Sequence, residues 1–199
     1  MPDRFHKIYR ISSSRLPRWD YSSNGYYFVT ICTKEKEHYF GEIINGEMEL
    51  SKIGEVVARE WQNTEAIRLD VEVDEWVVMP NHLHGIINIV ETHCSASLQQ
   101  KRINKFGPQS NNLASIIRGF KSKTTKDIRM AGFNAFAWQP RFYDHVIRND
   151  ASLNRIREYI QNNPTQWDLD IENNANKSRD ALQCVSTTAD YYKKLYDEL

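Results

Sequence analysis

Residues 75–90 read Glu-Trp-Val-Val-Met-Pro-Asn-His-Leu-His-Gly-Ile-Ile-Asn-Ile-Val, an apolar, β-branched run interrupted by Pro80-Asn81. Such runs favour strands, and a Pro-Asn pair favours a turn. The pattern therefore predicts two consecutive strands, Val71 to Met79 and Leu83 to Val90, joined by a tight connection. This pair is the centre from which the rest of the fold can be predicted.

The same stretch contains two histidines that are separated by one residue. Side chains alternate between the faces of a strand, so His82 and His84 project from one face while Leu83 points to the other. Two neighbouring imidazoles make half a metal site. A solvated histidine pair on a strand face is the alternative, since so short a motif often occurs by chance.

The sequence before these two strands predicts another strand, a hairpin and a helix. Residues 26–33 are rich in aromatic and β-branched side chains and are typical of a central strand. Within residues 41–50, Asn45-Gly46 is a common hairpin turn. Ser51 is a suitable N-cap for the helix that follows, whose apolar residues recur at helical spacing.

The sequence after the two strands predicts a helix, a strand and a last helix. Residues 91–112 are polar and predict a long loop, after which an amphipathic helix begins at Leu113. Ala137 to Val146 predicts a fourth strand, with Pro140 marking an edge or a bulge. The last helix is expected from Asp150, as N-cap, to Asn163. The order β-α-β-β-α-β indicates an α+β, ferredoxin-like split βαβ fold, with an antiparallel sheet, helices on one face and a C-terminal helix.

Composition limits the class of protein. With 199 residues, of which 40% are apolar, the chain suits a single domain, expected at 1–167, followed by a variable tail at 168–199. No apolar run is long enough for a membrane span and no leader pattern opens the chain, so a cytoplasmic protein without a membrane partner is expected. Three widely spaced cysteines argue against a disulfide framework.

Basic residues are concentrated although the formal net charge is zero. Between Lys101 and Arg129 there are eight basic residues and one acid, Asp127, whereas the chain from Thr165 onward is richer in acids. A phosphate-binding surface would produce this distribution, and so would an ordinary solvated helix face.

The last predicted helix carries a tyrosine that could act together with the histidines. Tyr159 and Asn163 are four residues apart, which places them about 40° from each other around a helix. Both side chains therefore reach the same region. Taken alone, a tyrosine beside an apolar stripe and an asparagine before a proline have structural explanations.

Four motifs, in this order, resemble one family. They are Val78-Met79-Pro80-Asn81-His82-Leu83-His84, Gly119-Phe120-Lys121-Ser122, Trp138 to Arg148, and Tyr159-Ile160-Gln161-Asn162-Asn163-Pro164 with Trp167. Together they resemble the tyrosine HUH-class transposases, in particular the repetitive-element-associated tyrosine transposases related to the insertion-sequence 200/605 enzymes. The resemblance extends from Trp19 to Trp167, and four ordered motifs are far more specific than one.

The resemblance implies a role for each site residue. His82, His84 and Asn163 would bind a divalent metal, Mg²⁺ or Mn²⁺, and Tyr159 would be the nucleophile that attacks a DNA phosphodiester to give a 5′-phosphotyrosine. Tyr143 is the rival nucleophile, although it is more typical of a packing residue. The cations that would contact the DNA backbone are Arg118, Lys121, Lys123, Lys126 and Arg148.

The implied partner is single-stranded DNA with a hairpin, or palindromic, element. A monomer and a homodimer both remain open. Two alternative functions also remain: a replication-initiator nickase of the same metal-tyrosine class, and a non-catalytic nucleic-acid-binding module on a ferredoxin-like fold.

Overall fold

The computed structural model describes residues 4–5, 8–9, 16, 19–90 and 112–173. The strands are β1 Arg4–Phe5, β2 Ile8–Tyr9, β3 Gly25–Cys32, β4 Gly41–Ile44, β5 Glu47–Leu50, β6 Val71–Met79, β7 His82–Ile89 and β8 Tyr143–Ile147. The α-helices are α1 Lys52–Ile67, α2 Leu113–Met130 and α3 Asp150–Asn162, and 3-10 turns cover Lys34–Lys36 and Pro164–Leu169. The predicted loop at 91–112, apart from Asn112, and the tail from 174 onward lie outside the described residues.

The central sheet has four antiparallel strands in the order β6-β7-β3-β8. Because β7 lies between β6 and β3, the β3-α1-β6 connection passes over a strand that enters the sheet later, which is the split βαβ arrangement. The predicted ferredoxin-like α+β fold is therefore confirmed. The β4–β5 hairpin forms a separate pair and turns at Asn45 and Gly46, both of which have positive φ, as the Asn-Gly turn predicts.

The two faces of the sheet are covered by different helices. Helices α1 and α2 pack on the face to which Val29 and Leu83 point, and together they form the larger core. Helix α3 packs on the opposite face against Phe28 and Ile86, through Leu153, Ile156 and Ile160. Among the described residues, no helix is both long and apolar enough to cross a membrane.

Gly85 explains how α1 approaches the sheet so closely. It follows His84 in β7 and points to the α1 side, where a β-carbon would lie only 2.4 Å from the ring of Trp61. Trp61 is fully buried. A side chain at position 85 would displace this tryptophan and lift α1 from the strand that carries the histidines.

Two predicted boundaries were wrong. The fourth strand begins at Tyr143, and of the residues before it Trp138 makes only an isolated bridge with Thr33. The reason is local: Pro140 lacks a backbone N–H, and Arg141 has a φ of 70°, which does not fit a strand. The N-cap of α3 is Asn149, whose side chain accepts a hydrogen bond from the Ser152 amide, and Asp150 is the first helical residue. The predicted N-cap at Ser51 is confirmed by its hydrogen bond from the Gly54 amide.

Candidate active site

The histidine pair lies at the start of β7, on the face of the sheet that α3 covers. Both side chains are fully buried, and the ring centroids are 4.3 Å apart. Leu83 points into the core on the opposite face, as the alternation of a strand predicts. Full burial excludes the alternative of a solvated histidine pair, because neither imidazole has solvent-accessible surface and both must find partners within the protein.

Asn81 fixes the orientation of the His82 ring. Its amide nitrogen donates to the backbone oxygens of Lys36 and Glu172, so its side-chain oxygen faces His82 Nδ1 at 2.8 Å. An amide oxygen only accepts, so Nδ1 carries the proton and Nε2 presents a lone pair. His82 Nε2 is buried and has no hydrogen-bond partner. Burial, followed by the neighbouring His84, lowers the pKa of His82 well below its usual value, which keeps the ring neutral.

His84 contacts two hydroxyl groups. Its Nδ1 is 2.9 Å from Thr30 Oγ1 on the adjacent strand, and its Nε2 is 3.2 Å from the hydroxyl of Tyr159. Helix α3 brings this tyrosine to the sheet because Ile156 and Ile160, on its apolar side, pack into the core below. The ring of Phe28 packs against the ring of Tyr159 in a T-shaped arrangement, with centroids 6.3 Å apart. A tyrosine hydroxyl is thus held at hydrogen-bonding distance from one histidine of the pair.

Asn163 lies at the end of α3, one turn beyond Tyr159, and is almost completely buried. Its amide nitrogen donates to Asp170 Oδ2 at 2.8 Å, which leaves Oδ1 as a buried oxygen without a hydrogen-bond partner. The structure therefore brings together His82, His84, Tyr159 and Asn163, the residues that the sequence predicted to form one site.

Asp170 is the site residue that the sequence analysis missed. The 3-10 turn Pro164–Leu169 returns the chain to the histidines, where Asp170 Oδ2 is 4.0 Å from His82 Nε2 and 3.9 Å from His84 Nε2. Burial alone would raise the pKa of Asp170, but the neighbouring side chains of His84 and His82 outweigh it and lower the pKa. No periodicity marks a single acid after an irregular turn, and Asp170 lies within 168–199, the range that the sequence predicts to be a variable tail.

The nitrogen and oxygen atoms of this cluster suit a divalent cation as ligands. One ligand atom from each of His82, His84 and Asp170 lies within 4.8 Å of the other two. Two further observations support a fit: His82 Nε2 and Asn163 Oδ1 are buried acceptors without hydrogen-bond donors. A buried acceptor lowers the stability of the folded protein unless a hydrogen-bond donor or a cation contacts it. Imidazole nitrogens and amide or carboxylate oxygens are common ligands of divalent metals.

The predicted DNA-binding cations lie apart from this cluster. Arg118, Lys121, Lys123 and Lys126 belong to α2, which covers the other face of the sheet. Lys121 donates to the backbone oxygens of Gln139 and Arg141, and burial lowers its pKa to about 8. Lys123 forms ion pairs with Asp127 and Glu60. These two lysines stabilise the packing of α2, and they are less available to a phosphate than the sequence suggested.

Arg148 is exposed and lies between β8 and α3. In the sheet, the end of β8 at Ile147 pairs with Tyr26, whereas His84 pairs with Thr30. Arg148 is therefore at the end of the sheet away from the histidines.

An ion pair between Arg157 and Asp74 links helix α3, which carries Tyr159, to the sheet. Arg157 donates through Nε to Asp74 Oδ1 at 2.9 Å and through its terminal nitrogen to Asp74 Oδ2. The register of β6 against β7 shifts between Val73 and Trp76, so Asp74 stands at an irregularity that turns it toward α3. The hydrogen bonds from Arg157 lower the pKa of Asp74 below its usual value.

Asp74→Asn is expected to lower the free energy of unfolding at pH 7 by about 0.5–1 kcal/mol, a partly exposed pair being screened by water. Because the pKa of Asp74 is lowered in the folded protein, its contribution is present above the unfolded pKa of about 3.9 and is lost as the pH falls through the folded value. Urea unfolding measures this free energy at pH 7 and in acid. The difference between Asp74→Asn and wild type should be smaller in acid than at pH 7. Glu72→Gln, an exposed acid of the same strand, is the matched control. An equal loss at both pH values would contradict the ionic role.

Comparisons with known proteins agree with the fold. No family model matches the chain. An uncharacterized protein of Haemophilus influenzae is 42% identical over 169 residues, which cover 82% of this chain and 93% of that protein. A REP-associated tyrosine transposase of Escherichia coli K12 is 28% identical over 95 residues, 48% of this chain and 45% of that protein.

Among solved structures, that of a REP-associated tyrosine transposase bound to a REP hairpin has a TM-score of 0.52 with 19% identity and covers 85% of this chain and 86% of that one. At this identity the likeness shows the fold alone, so the chemistry must be argued from the residues of the site.

Proposed function

We propose that the chain, which belongs to the same family as the Haemophilus influenzae protein and has the fold of a REP-associated tyrosine transposase, is itself a tyrosine transposase that cleaves and joins DNA. The partial sequence match to the Escherichia coli transposase points in the same direction. The observation that carries the proposal is the position of the Tyr159 hydroxyl, 3.2 Å from His84 in a buried cluster with His82 and Asn163.

In the proposed reaction, Tyr159 Oη attacks the phosphorus of a DNA phosphodiester. A bond forms between the phenolic oxygen and phosphorus, and the bond from phosphorus to the 3′ oxygen breaks. The hydroxyl proton lost by the tyrosine is balanced by the proton that the 3′ oxygen takes up. The products are a 5′-phosphotyrosine and a free 3′-hydroxyl, and attack of a 3′-hydroxyl on the phosphotyrosine reverses the step and joins strands.

His82, His84 and Asn163 would hold a divalent cation, Mg²⁺ or Mn²⁺. Bound there, the cation would polarise a non-bridging phosphate oxygen and favour the phenolate of a tyrosine whose ordinary pKa is near 10. His84 Nε2 has one lone pair, so it cannot bind the cation and accept a hydrogen bond from Tyr159 at the same time. With the cation held there, the hydroxyl would no longer be paired with His84 and would be available to a phosphate.

Two further features support this assignment. Tyr159 and the histidines meet within one chain, which favours a site completed by a single protomer. The site is also flanked by aromatic rings: Trp167 packs on His82 with centroids 6.0 Å apart, and His38 packs on Trp167 at 5.7 Å. His38 is exposed, so this row of rings leads from the buried pair toward solvent, and it suits stacking of unpaired bases of single-stranded DNA.

The proposal is tested with a single-stranded oligonucleotide that carries a hairpin and is labelled at its 3′ end. In Mn²⁺ the label is expected to migrate with the protein in a denaturing gel, and a chelator should abolish the adduct. The released 5′ fragment should end in a 3′-hydroxyl, and an added 3′-hydroxyl strand should be joined to the label.

Other outcomes discriminate the alternative functions. A covalent adduct that never transfers its strand favours the replication-initiator nickase. Binding of the hairpin without any adduct in Mn²⁺ or Mg²⁺ favours the non-catalytic nucleic-acid-binding module and would contradict the proposal.

A further inference from the structure

Asp170 occupies an unusual position between the two histidines. One oxygen, Oδ2, faces His82 Nε2 at 4.0 Å and His84 Nε2 at 3.9 Å, and the carboxylate is 1% exposed. The side-chain oxygen of Asn81 accepts a hydrogen bond from Nδ1–H of His82, so the Nε2 atom that faces Asp170 carries a lone pair. A lone pair and a carboxylate oxygen therefore point into the same buried space, and two acceptors at that separation leave room for a cation between them.

From this geometry we propose that Asp170 is an additional, anionic ligand of the cation and that residues 170–173 form a clip that positions it. The inference rests on the proposed function and deepens it, because it adds a metal ligand that comes from neither strand β7 nor the end of helix α3. Asn163 then has two tasks: its Oδ1 is available to the cation, and its Nδ2 orients the carboxylate at 2.8 Å.

The clip is fastened at Glu172. Its carboxylate pairs with Lys36 Nζ at 2.9 Å and is nearly buried, and its backbone oxygen accepts from Asn81 Nδ2 at 2.8 Å. Its amide donates to Asp170 Oδ1 at 2.6 Å, so the outer oxygen of the aspartate is held while Oδ2 stays directed at the histidines. Asn81 touches both His82 and Glu172, which joins the β6–β7 connection to the clip through one side chain.

The added carboxylate changes which cations the site suits. Two imidazoles and one amide form a largely neutral set, whereas a carboxylate supplies a negative charge and a hard oxygen. Hard oxygen ligands are those that Mg²⁺ and Mn²⁺ prefer. The clip therefore supplies a physical reason, beyond the family resemblance, for a magnesium or manganese site on a histidine pair.

The experiment is a Mn²⁺ titration of the full chain without DNA, followed by isothermal calorimetry or by the loss of the free-ion electron paramagnetic resonance signal. Asp170→Asn keeps the size of the side chain and is expected to raise the Kd at least ~10-fold. Asp168→Asn, an exposed acid on the same turn, is the matched control and should bind as wild type does. Thermal melting without metal establishes that each variant is folded.

Glu172→Gln provides a second variant that leaves every proposed ligand in place. The substitution removes the carboxylate charge that pairs with Lys36. It should therefore loosen the clip and weaken Mn²⁺ binding by roughly 10-fold, in the range typical of groups that orient a ligand. It also keeps the inference testable if Asp170→Asn does not fold.

The outcomes separate this inference from the proposed function. Unchanged Mn²⁺ affinity in Asp170→Asn, together with lost binding in His82→Ala, overturns the role of Asp170 and leaves the transposase proposal standing. A lower melting temperature with unchanged affinity shows that Asp170 only neutralises the buried rings, which also overturns it. If wild type binds no Mn²⁺, the metal site itself is wrong.

Discussion

Tyr159→Phe is expected to eliminate covalent cleavage of the hairpin oligonucleotide, lowering the single-turnover rate by at least ~10³-fold. The substitution removes only the hydroxyl, and the ring can keep its packing against Phe28. Binding of the oligonucleotide, measured separately by fluorescence anisotropy, should therefore change little. The rate is measured as release of the 5′-labelled fragment in a denaturing gel with Mn²⁺ present.

Tyr143→Phe is the matched control for this experiment. Tyr143 lies on β8 opposite Thr30, on the same face of the sheet, and its ring also packs on Phe28, with centroids 6.3 Å apart. It was the rival nucleophile in the sequence, and its loss should leave the cleavage rate close to that of wild type. If Tyr143→Phe is inactive and Tyr159→Phe is active, the assignment of the nucleophile is reversed.

His82→Ala is expected to have the second large effect, abolishing Mn²⁺ binding and with it cleavage, by ~10³-fold or more. The variant removes the buried Nε2 that has no hydrogen-bond partner and leaves the side chain of Asn81 without its donor. Some loss of stability should accompany it, about 1–3 kcal/mol for the unsatisfied acceptor, so thermal melting must establish that the variant is folded at the assay temperature.

His145→Ala controls for the loss of an imidazole on the same face of the sheet. His145 belongs to β8 and pairs with Phe28, two residues further along the sheet than Tyr143, so it is not adjacent to the cluster of His82 and His84. It should retain both Mn²⁺ binding and cleavage. A folded His82→Ala variant that cleaves at the wild-type rate would falsify the metal site.

The sequence predicted the fold because its strongest patterns belong to the centre of the sheet. The β6–β7 connection, the Asn45-Gly46 turn and the N-cap at Ser51 are all local signals, and all of them occur where predicted. The histidine pair and Tyr159 could be placed for a similar reason, since alternation in β7 and the spacing of α3 determine their directions. Whether strand and helix would meet was a question of tertiary structure.

Other features depend on contacts that are distant in the sequence. Asp170 reaches the histidines through an irregular turn, and the nearby Glu172 is held by Asn81 and Lys36, which are far away in the chain. Similarly, the basic character of α2 suggested a phosphate-binding surface, yet Lys121 and Lys123 are engaged by backbone oxygens and by acids. Charge patterns report composition, and only the packed structure shows which charges are already paired.

Locating the covalent bond tests the proposed mechanism most directly. The protein is incubated with the hairpin oligonucleotide and Mn²⁺, the adduct is digested with nuclease and protease, and the modified peptide is sequenced by mass spectrometry. The expected product is a nucleotide linked through its 5′ phosphate to Tyr159, at the atom that lies 3.2 Å from His84 Nε2. A nucleotide on Tyr143 or on another residue, or cleavage that leaves a free 5′ phosphate and no linked peptide, would contradict it.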